Sequence, residues 1–564
     1  MRQENIPPFS MPMFHDWVPK GIRPWIYLLQ AFCFQFSGGV YLGAMNDMIG
    51  EYQWMREDVQ FLMYCNLAGM AIWFPVLFRT KFRFTNKALL MVSALTIIVC
   101  NLLTMHKLPL PLMWVVCFIA GVAKIQGTFE NLSNIQLWMT PKRDFGVFFP
   151  ILHIVLLTAI EGAGFLAAWF AFHMHWHMMH WFVIGLMLLV LTIQAVLTRP
   201  FCPMPKERRV PFTHIDWLSA FCWVLFFLCL AYILNYGDWL QWYHSRTITL
   251  LTGIDCLLLA FLMLRMKYHP QAYIEYRIVS FRYFRPIIFF MALFEVIMSV
   301  EHVLENVFYE EVMHYSDLTY ETLNQWSLIG IYAGCLFSLG WLKLHQWSQY
   351  QLIGIGMSFI CLYCVGFYFL VTPEISYHQL VLPLISRGFG YSILCIAFMW
   401  SLHSVMDFMH FFQALCIFNF FHMFGGGCIG GAILSHGIGY YVGDGFARYN
   451  GYINLVSVSG GQLAGGFAGL GTYMNGMVEG LLAQTVKILY GYMIWACLVF
   501  IAIFLLWDRP EIRHTVKSMP SWSHFGARIF GAFNRAQRRA RRMAKQKSKV
   551  KILAQKHGEL IKNA

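Results

Sequence analysis

A chain of 564 residues that is 58% hydrophobic and only 12% charged has too little polar surface for a water-soluble globule, which excludes most soluble chemistry. Its net charge of +13 comes largely from short loops and a C-terminal tail. Basic residues so placed read as anchors beside an anionic lipid leaflet, and nothing else in the chain points to nucleic acid. Crossing a bilayer takes about 20 mostly apolar residues, and stretches of that kind recur along the whole chain. In order, they centre on Phe34, Gly69, Ile97, Val122, Ala159, Leu189, Phe226, Leu257, Leu293, Ala333, Leu362, Ile393, Phe424 and Leu498. We number them spans one to fourteen. The expected fold class is an all-α polytopic membrane protein.

The connecting segments fix an orientation. Alternate loops hold Lys20, Arg79, Lys81, Arg83, Lys87, Lys142, Arg143, Arg265, Lys267 and Lys343, whereas the intervening ones hold only Arg56, Lys107, Arg246, Arg448 and Lys487. The positive-inside rule then places both termini in the cytoplasm and the chain in the cytoplasmic (inner) membrane. Two segments break the rhythm of short hairpins. Arg199 to Arg209, with Pro200, Pro203 and Pro205, reads as a cytoplasmic linker, and residues 436–484 read as a long external loop. The glycine-rich run Ser459–Gly471 within that loop lacks the GK[ST] of a phosphate-binding loop. The expected organisation is a six-helix bundle over 1–198, a linker with two inserted helices over 199–285, a second six-helix bundle over 286–508, and a basic cytoplasmic tail over 509–564.

Fifteen cysteines lie scattered through the apolar stretches, and the Cys361–Cys364 pair sits inside one, where thiols act as small hydrophobes. The run HMHWHMMH (His173–His180) offers imidazoles at alternate positions but no carboxylate or thiolate within the loop. It reads as an interfacial loop, so neither a metal nor a cofactor is expected.

Several stretches, in order along the whole chain, resemble the major facilitator superfamily and within it the fourteen-spanner drug:proton antiporter branch. FPVLFRTKFRFTNKALL (Phe74–Leu90) is similar to that family's loop between spans two and three, with Arg83 and Lys87 at its basic positions. The resemblance continues in IQG of span four (Ile125–Gly127), in the Asp216-Trp217 start of span seven, in VLPLISRGFGYS (Val381–Ser392) and in the glycine-rich FNFFHMFGGGCIGGAIL (Phe418–Leu434). Departures are equally specific. Phe78, Phe82 and Thr85 replace the loop's first Gly, Asp and second Gly, Ala123 stands at the expected span-four Arg, and span one carries no acid in Ser37–Met45. The resemblance implies two bundles that rock about a shared pocket, Arg83 and Lys87 as parts of a conformational loop, and proton-coupled export of amphipathic or cationic drugs. It further implies, in a double-membraned bacterium, a periplasmic adaptor and an outer-membrane channel. The eroded motifs leave open a dedicated carrier of a metabolite, lipid or siderophore. A membrane-embedded metal-dependent enzyme would need several His-x-x-His clusters, which the sequence does not supply.

Ionisable groups inside apolar stretches cost about 3 kcal/mol or more each and ask for a reason. Span four places Gln126, Glu130, Ser133 and Asn134 on one helical face, with Lys124, Thr128 and Asn131 as a neighbouring stripe. Span five carries Glu161, span nine Glu295, Glu301, His302 and Glu305, and span twelve Arg387. The expectation is that Glu130, Glu161 and Glu295 include the proton carriers and that Lys124 and Arg387 are counter-charges. Gln126, Asn131, Asn134 and His302 are then expected to line a cavity for a small-molecule substrate.

Overall fold

The computed structural model describes residues 9–38, 40–140, 144–204, 212, 215–269, 271–281, 283–344, 349–406, 408–452 and 466–506. The expected basic tail, 509–564, lies outside them. Thirteen helices among the described residues are long and apolar enough to cross a bilayer. They are span two (Arg56–Arg83), three (Asn86–Thr104), four (Leu110–Met139), five (Phe145–His173), six (His177–Leu197), seven (Trp217–Tyr236) and eight (Arg246–Tyr268). Then follow nine (Phe284–Val312), ten (Asp317–Lys343), eleven (Gln349–Leu370), twelve (Tyr377–Val405), thirteen (His410–Arg448) and fourteen (Gly476–Phe504). Each falls on one of the stretches read from the sequence, and the chain is an all-α, multi-pass membrane protein.

Span one is the exception, because it is broken. Its first helix, Arg23–Phe36, has 14 residues, about 21 Å against a hydrocarbon core of about 30 Å. The Ser37-Gly38 step turns extended, with the Ser37 hydroxyl donating to Phe34 O at 2.6 Å. A second piece, Leu42–Ala44 running into Met45–Tyr52, completes the crossing. The backbone of Gly43 there lies so close to span five that a β-carbon would stand 2.2 Å from Gly164 O.

The reading of 436–484 as a loop is corrected over 436–452 and 466–484, while 453–465 lie outside the described residues. Helix runs through Gly431–Tyr452 and again through Gly466–Leu506. Small residues kept the local hydropathy low there without breaking the helix, since glycine packed in a membrane bundle is tolerated. Within span thirteen the glycine run Gly425–Gly430 forms a π-helical segment. It presses against span nine: a β-carbon on Gly430 would meet the Ser299 side chain at 2.5 Å.

The pairings fall into two groups. Spans one to six pack mainly among themselves, two on four, three on four and six, and one on four and five. Spans nine to thirteen do likewise, ten and eleven on twelve and thirteen on nine. The groups meet where span five packs on ten and span two on thirteen. Span seven packs on spans eight and two. Span eight leaves Leu250, Leu257 and Leu264 exposed to the surroundings, the face an inserted, lipid-facing helix presents.

Candidate functional site

Among the described residues, the candidate acids fall into three charged clusters within the apolar helices. The first is near the end of the spans that bears Arg79, Lys81 and Arg83, the basic end. Span two continues as helix through Arg83, which brings Lys81 into the bundle rather than leaving it in a loop. Its ammonium lies 3.6 Å from Glu130 and 3.2 Å from Asn134 Oδ1, and bonds Ser133 Oγ. Asn86 donates to Glu130 at 2.6 Å, and Tyr27 donates to Asn86 at 2.9 Å. Gln126 accepts from Trp73 and from Thr80, each at 2.9 Å. The polar face of span four is therefore as the spacing suggests, and it is turned on span two. Glu130 is 2% exposed and held by Lys81 of span two and Asn86 of span three, with Tyr27 of span one behind Asn86.

The neighbouring stripe divides. Thr128 accepts from Gln35 of span one at 3.0 Å, and Asn131 bonds back to Gly127 O of its own helix. Lys124 is half-buried, with no charged or hydrogen-bonding partner among the described residues. The counter-charge of Glu130 is Lys81, not Lys124. Lys87 donates to Ala195 O at 3.1 Å and Thr198 O at 2.9 Å, so it caps the carboxyl end of span six. Arg83 lies over the Phe212 ring at 4.9 Å.

In the second cluster Glu295 of span nine meets His422 Nδ1 of span thirteen at 2.6 Å. The glycine run makes this approach feasible, because a β-carbon on Gly425 would already stand 3.0 Å from Glu295 Cβ. His302, seven residues on, is exposed and within electrostatic reach of Glu295.

The third cluster joins the two groups of spans. Arg387 of span twelve is 2% exposed. It donates to Glu305 at 2.7 Å and to Asn324 at 3.3 Å, and stands 3.3 Å from Glu301. Tyr363 of span eleven donates to the other oxygen of Glu305. Facing them from span five is Glu161, within electrostatic reach of Arg387, Glu301, Glu305 and Glu321. Gln325 of span ten donates to the Glu161 carbonyl at 3.1 Å. Glu321 comes close to span five because residue 164 is glycine: a β-carbon there would stand 2.9 Å from the Glu321 carboxylate. Two carboxylates of span nine thus contact the guanidinium, and one each from spans five and ten lie within its electrostatic reach.

The structure places Glu161 and Arg387 together, as two members of one cluster, and places Glu130 and Glu295 in separate ones. Lys81, His422 and Glu321 are the partners that sequence reasoning missed. Lys81 looked like a loop anchor, His422 one ring among many in FNFFHMF, and Glu321 sat at the edge of an apolar window. Only the capping sequence Ser316-Asp317 hinted that span ten starts early enough to include Glu321.

Further polar contacts tie the two groups at both ends. At the end opposite the basic one, Arg56 lies 3.4 Å from Glu310 and Asn46 donates to Asp317 at 3.0 Å. At the basic end Lys343 pairs with Asp144, and Phe78 packs edge-on against Phe412 with centroids 4.0 Å apart.

No protein-family model and no curated protein matches the chain. Solved structures do. A peptide transporter POT in complex with sulfate is 14% identical with a TM-score of 0.55, over 88% of this chain and 96% of that one. A POT family transporter in complex with 5-aminolevulinic acid is 14% identical with a TM-score of 0.53, over 89% and 99%. A mutant of the nucleoside transporter NupG is 15% identical with a TM-score of 0.51, over 86% and 99%. At such identities the likeness is one of fold. The chain has the major facilitator fold, two six-helix bundles with two helices inserted between them.

Proposed function

We propose that this protein is a secondary active transporter of the cytoplasmic membrane, exporting amphipathic or cationic small molecules in exchange for protons by alternating access. The observation that carries the reading is the cluster of Glu161, Glu301, Glu305 and Glu321 about Arg387, at the meeting of the two bundles. Substrate sites in rocking-bundle folds lie between the halves near the membrane midplane. Four carboxylates within reach of one guanidinium in a medium of low dielectric cannot all be ionised cheaply, so the group exchanges protons or takes up a cation. Rocking the bundles changes the distance from Glu161 to Arg387 while leaving Glu305 on Arg387, because Glu305 and Arg387 belong to the same half. Proton uptake at Glu161 and bundle movement are then coupled.

Glu130 and Glu295 take different roles in this reading. Glu130 with Lys81 braces the N-terminal bundle, and Glu295 with His422 is an auxiliary acid within the C-terminal one. Both termini and the basic loops face the cytoplasm. The antiporter resemblance carries with it a periplasmic adaptor and an outer-membrane channel as partners. The second reading, a dedicated metabolite carrier, draws on the fold shared with peptide and nucleoside transporters.

The test is cationic-dye flux in proteoliposomes under an imposed pH gradient. Wild-type protein moves dye against its gradient, and Glu161→Gln loses that gradient-driven flux by about tenfold or more. Undiminished driven flux in Glu161→Gln ends the carrier role of Glu161. Absence of dye movement by wild-type protein, with movement of a nucleoside or peptide, selects the second reading.

A further inference from the structure

By sequence the histidine-rich turn between spans five and six is an interfacial loop, since the loop itself holds no carboxylate. Folding supplies one. Glu51, at the end of the second piece of span one, reaches His175 and His177, and one donor atom from each lies within 4.8 Å of the others. Glu51 Oε2 stands 3.8 Å from His175 Nε2 and 3.9 Å from His177 Nδ1.

Tautomers sharpen the geometry. His177 Nε2 lies 3.0 Å from Met105 O, a carbonyl that can only accept, so that nitrogen carries the proton and Nδ1 presents a lone pair. His175 Nδ1 accepts a long hydrogen bond from the backbone N–H of His177 at 3.3 Å, so it is unprotonated and gives up that contact when its ring turns to a cation. These two Nδ1 atoms are 2.7 Å apart. Two imidazole nitrogens at that separation share either a proton or a cation. The surrounding contacts have the form of support for a metal ligand set. A backbone carbonyl orients His177, and Trp176, itself 4% exposed, donates to Glu51 Oε2 at 2.6 Å.

We propose that Glu51, His175 and His177 form a site for a divalent transition-metal cation, zinc foremost, on the end of the molecule opposite the basic loops. Two imidazoles and one carboxylate are a zinc donor set that leaves a fourth position to water. A tetrahedral ion about 2.0 Å from each donor separates donors by about 3.3 Å. The 2.7 Å between the two Nδ1 atoms and the 3.9 Å from Glu51 Oε2 to His177 Nδ1 lie on either side of that value, and rotation of the exposed Glu51 and His175 side chains brings one nitrogen of His175 into range. The bound ion staples the outer piece of span one, Met45–Tyr52, to the turn between spans five and six. That same piece carries Asn46, which bonds Asp317 of the other bundle.

The experiment is isothermal titration of ZnCl2 into the full-length, tag-free protein in detergent after chelator treatment, which needs no transport assay. One equivalent binds to wild-type protein. Affinity falls by about tenfold or more in His175→Ala and in Glu51→Gln, whereas His173→Ala, whose ring stacks on Trp169 outside the cluster, binds as wild type. Circular dichroism of each variant confirms the helical fold, and His175, more than half exposed, tolerates truncation. No heat of zinc binding in the wild type, or equal affinity in the His175 and Glu51 variants, overturns the site.

Discussion

Burial decides what each charged residue can do here. Glu130 is shut in with Lys81, Asn86, Asn134 and Tyr27 near it, and one of its oxygens has no hydrogen-bond partner. Removing one member of such a pair strands the other in oil, at a cost of about 3–5 kcal/mol. Lys81→Met is therefore expected to lower thermal stability in detergent strongly, Glu130→Gln less so, and the double variant to recover most of the loss. Equal loss in all three would show that the pair contributes by packing alone. Outside the spans the same logic is gentler. Burial alone would raise the Asp216 carboxyl, yet hydrogen bonds from Arg265 and Ser219 hold it down to about 2. A carboxyl depressed when folded adds stability above its ordinary value of 3.8, and that contribution is lost as pH falls through about 2. Asp216→Asn should thus unfold about 1–3 °C below wild type at neutral pH. Thermal scans at descending pH should show the gap closing below about pH 4. A gap that persists at pH 2 rules out the carboxylate as its source.

At the scale of helices, hydropathy carried most of the information. Every span could be placed because an apolar run of bilayer length has few other fates. What hydropathy missed was the interior of the runs. The Ser37-Gly38 break splits span one, and the π-helical Gly425–Gly430 segment reshapes span thirteen, but neither lowers mean hydropathy enough to register. The site was legible only residue by residue. Glu161 and Arg387 stood out because a charge in oil is conspicuous. Their neighbours did not, because which charges meet depends on rotation and depth of packed helices. Periodicity placed Gln126, Glu130, Ser133 and Asn134 on one face correctly. It gave no means of telling that Lys81, from a helix extended past its apolar core, would meet that face ahead of Lys124. The histidine turn repeats the lesson: its carboxylate comes from residue 51, more than a hundred positions earlier.

For the whole molecule, the two bundles are joined at both ends, and the proposed rocking cycle would have to release one set of ties while keeping the other. At the end opposite the basic loops, Arg56–Glu310 and Asn46–Asp317 join span two and the outer piece of span one to spans nine and ten. At the basic end, Lys343–Asp144 joins spans ten and five. Each is partly exposed and so worth about 1 kcal/mol or less. That is small for stability but large for a balance between two states, where 1 kcal/mol is about a fivefold change in ratio. Arg56→Glu replaces an attraction with a repulsion and should favour release at its own end. Hydrogen exchange read by mass spectrometry should then quicken by about fivefold in Met45–Tyr52 and Asp317–Asn324, the short helices that carry the neighbouring tie. The swap Arg56→Glu/Glu310→Arg should return exchange to wild type, since it restores the pair with its sign reversed. Lys343→Glu should leave those two helices unquickened while loosening the basic end. Exchange in Met45–Tyr52 that ignores Arg56→Glu, or that the swap fails to restore, would mean that these ties hold no gate and that the ends are closed by apolar packing such as Phe78 on Phe412.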